Sequence, residues 1–524
     1  MKELNFHELS PRQKIGMTMV AAVRSKESFE FALDLVKKRS LGAIWINPAW
    51  DYEREAAMKA FKEAADYPIL FVTDAESGLG EHQIGRHNAI GCTDSEELAY
   101  TFGKVTAIEA RKLGVNMVCN PVLDMVNGNF VCGANIRSLG NDKHKVVRLA
   151  AAEAQGLRDG GVLTLAKHFP GSSTTGHIDS HMAETGSDAT LEELFDYNLY
   201  PYKILLERGL LDGVMVRHTR FFKIDDQYPA SLSRKVTGII RDMGFDGLCM
   251  TDALNMMGVL ARFDREKVSG LAINAGNDLA LPFEDSRTDY ENLCKFYDEG
   301  LMDEEMLNAA VKRVLAAQHK VLSLPQDAQI TPEDEENFAR ISADSVYART
   351  DDGVAHSISK EGRHFFAILT PHDYGSGSNG EVPVDTLEKG WYRPKEIISF
   401  LSEKFPNSVC FAISEFPNPT QSWSLLDKSL GYDDVIFITY FQGGAYIGQE
   451  RFTPRILSLM DAMQRTERIS TVIHYGNPYV LEDLPHFSRV LIGTASADGV
   501  RAGLRVLAGE YPAKGSLTYD ITLK

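Results

Sequence analysis

The chain is poor in cysteine and has no cysteine pair. Its 524 residues contain six, Cys92, Cys119, Cys132, Cys249, Cys294 and Cys410. Without a CxxC spacing they exclude a disulfide framework or a cysteine-based zinc site, and those inside apolar runs such as NMVCN and GLCMT are expected to be buried free thiols. Long apolar runs are missing too. No stretch approaches the roughly 20 apolar residues of a membrane span, and the start, MKELNFHELSPRQKIGM, lacks the apolar centre of a signal peptide. A cytoplasmic protein is expected. Basic residues are outnumbered, 55 against 73 acidic, for a formal net charge of -18, which argues against nucleic acid or a membrane as partner.

Two nucleotide motifs fail on their surroundings. GSGSNG at 375–380 matches GxGxxG, but the EVPVDT that follows cannot open the helix whose N-terminus would hold a pyrophosphate. The Gly-rich piece from Gly443, GGAYIGQER, lacks the Lys and Ser or Thr of a phosphate-binding loop. No HExxH pair or EF-hand loop suggests a metal, so neither metal nor organic cofactor is implied.

What is present is a strand and helix alternation. Apolar runs recur at 43–46 (AIWI), 69–72 (ILFV), 116–119, 161–165 (GVLTL), 213–216 (GVMV), 247–250 (GLCM) and 278–281 (DLAL), with helix-like segments between most of them. The pattern predicts an α/β fold with a (β/α)8-like TIM barrel over residues 1–323. One helix is read in detail: Thr93 and Glu96 make a capping box, Leu98, Phe102, Val105 and Ile108 share a face, and the helix ends near Gly114. The Pro- and acid-rich stretch SLPQDAQITPEDEENFAR starts a linker over 324–354. Beyond it, HFFAILTP, VCFAIS, DVIFITY, STVIHY and RVLIGTA, with the helical PKEIISFLSEKF, predict a smaller three-layer α/β sandwich over 355–524. Single cores stop growing at about 250 to 300 residues, so two domains are expected.

Polar residues follow nearly every barrel run at once: Asp74, then Asn120 and Asp124, Lys167 and His168, Arg217 and His218, and Asp252. In a parallel barrel all strand C-termini open on one face, where such folds place their sites. Asp252, ahead of ALNMM, reads equally as a helix N-cap. The densest cluster is 166–181, AKHFPGSSTTGHIDSH, which packs a lysine, three histidines and an aspartate into one loop after a strand. A catalytic loop, a metal-binding loop and an exposed polar loop all fit its residue types.

Four stretches carry a resemblance to glycoside hydrolase family 3, and within it to the β-N-acetylglucosaminidase branch. They are VTDAESG (72–78), NIRSLG (135–140), KHFPG with DSH (167–171 and 179–181), and PASLSRKVTGIIRDMGFDGLCMTDALNMMGV (229–259). SVYARTDDG (345–353) and YGNPY (475–479) extend the likeness to two-domain members.

The resemblance implies Asp252 as a nucleophile forming a covalent glycosyl-enzyme, His181 as acid and base, and Asp179 as the group that holds His181. It implies Asp74, Arg137, Lys167 and His168 as sugar ligands, with His218 grouped among the substrate-binding residues, near Asp252 or one layer behind those that touch the sugar. The implied activity is retaining, exo-acting removal of terminal β-GlcNAc from cell-wall fragments or chito-oligosaccharides, so the expected partner is that carbohydrate. Alternatives are a glycoside phosphorylase, a β-glucosidase or β-xylosidase, and a non-catalytic sugar-binding protein. The chain leaves the family pattern at Ser172, Ser173, Thr174 and Thr175, and His177 is an alternative partner beside Asp179.

Overall fold

The computed structural model describes residues 3–46, 54–125, 135–171, 179–281, 285–370, 390–441, 451–466, 468–518 and 521–524. Ser172 to Thr175, His177, the GSGSNG motif and GGAYIGQE lie outside the described residues. The chain forms two compact units, Met1–His82, Glu96–Asn127 and Arg137–Glu335 in the first, and Gln83–Ser95, Gly128–Ile136 and Glu336–Lys524 in the second.

The first unit is built on a parallel sheet of β1 (Val20–Ala22), β2 (Ala43–Trp45), β3 (Leu70–Thr73), β4 (Met117–Val118), β5 (Leu163–Phe169), β6 (Gly213–Val216) and β7 (Leu248–Thr251), paired in that order. Its two ends meet through the run at 278–281, which bridges Met250 at Leu279 and Met19 at Ala280, both parallel. The sheet is therefore curled, as a barrel requires. Buried Asp278 fixes this junction, accepting from the Cys249 amide at 2.7 Å and from Arg241 at 2.6 Å.

Strand alternation sorts the apolar side chains. Ala43, Trp45, Leu70, Val72, Leu163, Leu165, Leu248 and Met250 pack in one inner cluster, whereas Ile44 and Phe71 join an outer cluster with helical residues such as Leu35, Phe61 and Val311. Gly213 keeps the inner layer closed, since a Cβ there would lie 2.4 Å from the Leu165 side chain. Two inner residues further along three of these strands stand Asp74, Lys167 and Asp252. The same period of two that fills the core aims them over its mouth.

The helix expected after Thr93 runs over Glu96–Lys112 and ends ahead of Gly114, whose φ is +84°. Its capping box is not formed: Thr93 closes the preceding helix, Asn88–Thr93, and its hydroxyl donates to the Ile90 carbonyl at 2.8 Å. The 324–354 stretch is more than a linker, since it holds the helix Pro332–Asp344 and the strand β8 (Tyr347–Thr350).

In the second unit a six-stranded sheet runs β8, β13 (Arg489–Gly493), β12 (Ile469–Gly476), β11 (Asp434–Phe441), β9 (His364–Thr370) and β10 (Val409–Ser414). Every pairing is parallel except β8 with β13 at the edge. Along β9, Phe365, Ala367 and Leu369 pack with the helix Pro454–Gln464, whereas Phe366 and Ile368 pack with Pro394–Lys404 and Ala497–Leu507. Both faces of this sheet are thus covered, as a parallel sheet demands. Of the described cysteines Cys119 and Cys249 are buried, Cys92, Cys294 and Cys410 only half-buried, and all are free thiols. No described helix is long and apolar enough to cross a membrane.

Candidate active site

Asp252 follows β7, and its backbone is pinned on both sides. Its N–H donates to the Val216 carbonyl at 2.8 Å, and two residues on the Leu254 N–H donates to the Leu281 carbonyl at 2.8 Å. One carboxylate oxygen, Oδ1, accepts from the Ala253 N–H at 2.8 Å. The other, Oδ2, lies 4.0 Å from His168 Nε2. Burial alone raises this carboxyl, but the neighbouring His168, the Ala253 N–H and the His181 imidazole outweigh it and hold Asp252 well below the usual carboxylate range. The group is an ionised carboxylate at neutral pH.

Beside it stands a buried network of charges. Lys167 is 1% exposed, and its Nζ lies 2.5 Å from both Asp74 Oδ1 and Glu76 Oε1. Arg137 grips Glu76 with two bonds, Nε to Oε2 at 2.7 Å and Nη2 to Oε1 at 2.6 Å. Desolvation acts against ionising Glu76, yet Arg137 and Lys167 hold it well below its ordinary range. Lys167 stays a cation for the same reason, since Asp74 and Glu76 outweigh its burial. His168 Nδ1 donates to Asp124 Oδ2 at 2.5 Å, and its Nε2 lies 3.3 Å from Arg137 Nη2. Arg217 completes the floor, reaching Asp124 at 3.5 Å and the Gly171 carbonyl at 3.0 Å.

The third element is the loop at Asp179. The Asp179 carboxylate accepts from His181 Nδ1 at 2.7 Å and from the His181 backbone N–H at 2.9 Å. A carboxylate that holds both the ring and the backbone of a histidine fixes the ring's tautomer and direction. His181 keeps a quarter of its side chain exposed, and Asp179 much less.

The sequence from residue 12 to 317 matches the model of the glycosyl hydrolase family 3 N terminal domain. The chain belongs to glycosyl hydrolase family 3. Among relatives, a beta-hexosaminidase of Tolumonas auensis is 30% identical over 236 residues, 43% of this chain and 70% of that protein. The beta-hexosaminidase LpqI of Mycobacterium tuberculosis is 30% identical over 293 residues, 52% of this chain and 73% of that protein. Solved structures share the fold. A family 3 β-N-acetylglucosaminidase from Paenibacillus sp. str. FPU-7 has a TM-score of 0.82 at 24% identity, covering 98% of this chain and all of the other. The beta-glucoside phosphorylase BglX has a TM-score of 0.81 at 22% identity, covering 98% and 94%.

In this family 3 chain the contacts join Asp74, Arg137, Lys167, His168 and Asp252 in one cluster, with His181 close enough to act on the Asp252 charge. The structure places His218 beside Asp252, against the Ala253 peptide. It is 1% exposed, and both ring nitrogens are committed: Nε2–H donates to the Ala253 carbonyl at 3.0 Å, so Nδ1 accepts from the Ser231 hydroxyl at 2.7 Å. Burial pushes its pKa down, and a neutral His218 braces the peptide beside Asp252. Glu76 has no role in the sequence reading: it stands in the turn after the strand Leu70–Thr73, where strand alternation no longer tells which way a side chain faces. Asp124 and Arg217 were visible as strand-end residues, but their partnership with His168 and Gly171 was not.

Proposed function

We propose that this family 3 enzyme is a retaining exo-β-N-acetylglucosaminidase that removes non-reducing terminal β-GlcNAc from cell-wall fragments or chito-oligosaccharides. The observation that carries the proposal is the Asp179–His181 pair standing with an ionised Asp252 whose second oxygen is not taken up by the Ala253 amide. Relatives named beta-hexosaminidase support the sugar.

The Asp252 Oδ2 lone pair attacks the anomeric carbon while the bond from that carbon to the leaving oxygen breaks. With Nδ1 held by Asp179, Nε2–H of His181 gives its proton to that oxygen. The same nitrogen then takes a proton from water, the water oxygen bonds to the anomeric carbon, and the Asp252 carboxylate departs, so the configuration is retained. Asp74, Lys167, Arg137 and His168 bind the terminal sugar: the carboxylate accepts from hydroxyls and the cations donate to oxygens. Glu76, bonded to both Arg137 and Lys167, holds the two cations in place.

A second reading rests on His181 itself. An imidazole in place of a carboxylate spares incoming phosphate a like-charge repulsion, so a phosphorolytic reaction uses the same residues. Aryl β-glycosides assayed with and without phosphate separate the two readings. Free GlcNAc in both buffers fits hydrolysis, sugar 1-phosphate marks a phosphorylase, and turnover of glucosides or xylosides alone overturns the assigned sugar.

A further inference from the structure

The loop carrying His181 is tied to the same segment that carries Asp252. The Gly258 N–H donates to the Ser180 carbonyl at 2.8 Å, and the Met257 N–H to the His181 carbonyl at 3.4 Å. Both donors open the short helix Met257–Leu260, which starts five residues past Asp252. A third tie runs between side chains, with Glu184 lying 3.5 Å from Arg262 and 3.1 Å from Arg220. At Gly258 the approach is tight, so that a side chain would make its neighbours give by a few tenths of an ångström. A Cβ there would stand 3.0 Å from the Ser180 carbonyl oxygen and 3.2 Å from the Cβ of His218. The first atom belongs to the acid/base loop, and the second to the residue that braces the Asp252 peptide.

We propose that Gly258 is a positioning residue that sets the His181 loop in register with the nucleophile, by donating to Ser180 and by lacking the side chain that would push the loop away. This rests on the reading of His181 as the acid/base. The physical reason is geometric: proton transfer needs Nε2 within hydrogen-bond reach of the leaving oxygen at the moment Asp252 attacks, and misplacement by about 1 Å costs up to 10²-fold. Two groups on separate loops hold such a tolerance only when they share a frame, and the Ser180–Gly258 contact supplies it. Alanine is not otherwise costly at this position, because Gly258 is not among the glycines with positive φ and alanine favours a helix.

The test uses the full chain with Gly258→Ala and the bulkier Gly258→Val, each assayed on diacetylchitobiose, whose leaving group needs a proton, and on a dinitrophenyl β-N-acetylglucosaminide, whose leaving group does not. For Gly258→Ala, kcat on the disaccharide is expected to fall about 10- to 100-fold, and on the dinitrophenyl substrate by roughly threefold or less, with the larger split for valine. Gly238→Ala, in a helix with nothing within 4 Å of the new Cβ, serves as the unchanged control. Equal loss on both substrates, or no loss, overturns the proposal. His181→Ala run alongside separates the two ideas. If it splits the substrates and Gly258→Ala does not, only the positioning role fails; if it does not split them, the acid/base reading fails and the inference falls with it.

Discussion

Asp252 and His181, the groups proposed as nucleophile and proton carrier, are held in contrasting ways. Asp252 sits at the end of a strand, with its own amide bonded to Val216 and its Oδ1 to Ala253. His181 sits on a loop, a quarter exposed, and depends on Asp179 and on the contact with Gly258 for its direction. The difference matches the two tasks. The Asp252 side chain is 21% exposed and that of His181 25%, so the contrast lies in the anchoring: a nucleophile works best from one fixed place with its charge preserved, whereas a group that first gives and then takes a proton must meet both leaving group and water.

The comparison breaks most sharply at Asp252. Asp252→Asn, which keeps the shape but not the charge, is expected to lower turnover of an aryl β-N-acetylglucosaminide by about 10⁴-fold or more; near wild-type activity would remove Asp252 from the mechanism. His181→Ala should cost about 10² to 10⁴ on a disaccharide and much less on activated aryl substrates. Normal disaccharide turnover by this variant, with loss in His177→Ala instead, moves the acid/base to the other histidine.

A third change tests the floor rather than the reacting groups. Glu76→Gln strands Lys167 and Arg137 in a buried site with one counter-charge fewer, so stability measured by urea unfolding should drop by about 3 kcal/mol or more, and KM should rise as both cations lose their places. An unchanged unfolding midpoint would show that Asp74 alone suffices.

The smallest effect concerns His218. Its folded pKa lies below the ordinary histidine value, so below about pH 6.5 the unfolded chain takes up a proton that the folded site refuses, and stability falls with acidification. The depressed carboxylates Glu76, Asp124 and Asp252 act in the same direction lower down, contributing stability above about pH 4 that is lost as the pH falls toward their folded values. Between pH 7.5 and 5.5, His218→Gln should therefore lose about 1 kcal/mol less than the parent. Equal losses would mean that the imidazole is already charged where it sits.

Much of the site was legible because strand periodicity and strand ends are local properties. Asp74, Lys167, His168 and Asp252 each stand just after an apolar run or at its end, and alternation alone aims the first, second and fourth over the mouth. β1 escaped notice because VAA at 20–22 is short and rich in alanine, a weak strand former. The helix at 332–344 lies inside the stretch that composition assigns to a linker, although Thr331 and Asp334 cap it reciprocally, through Thr331 N–H to Asp334 and Asp334 N–H to the Thr331 hydroxyl. Composition there masked a start signal.

The sequence by itself determined the family, the parallel α/β character of the first unit and which residues stand at its strand ends, because these follow from spacing of two and from motifs contiguous in the chain. Only the tertiary structure decided the pairings: Glu76 between Arg137 and Lys167, His168 against Asp124, His218 beneath Ala253, and Ser180 on Gly258. Each joins residues dozens of positions apart, and the charge that Asp252 carries at neutral pH is a sum over such neighbours, fixed by distance in space rather than by order along the chain.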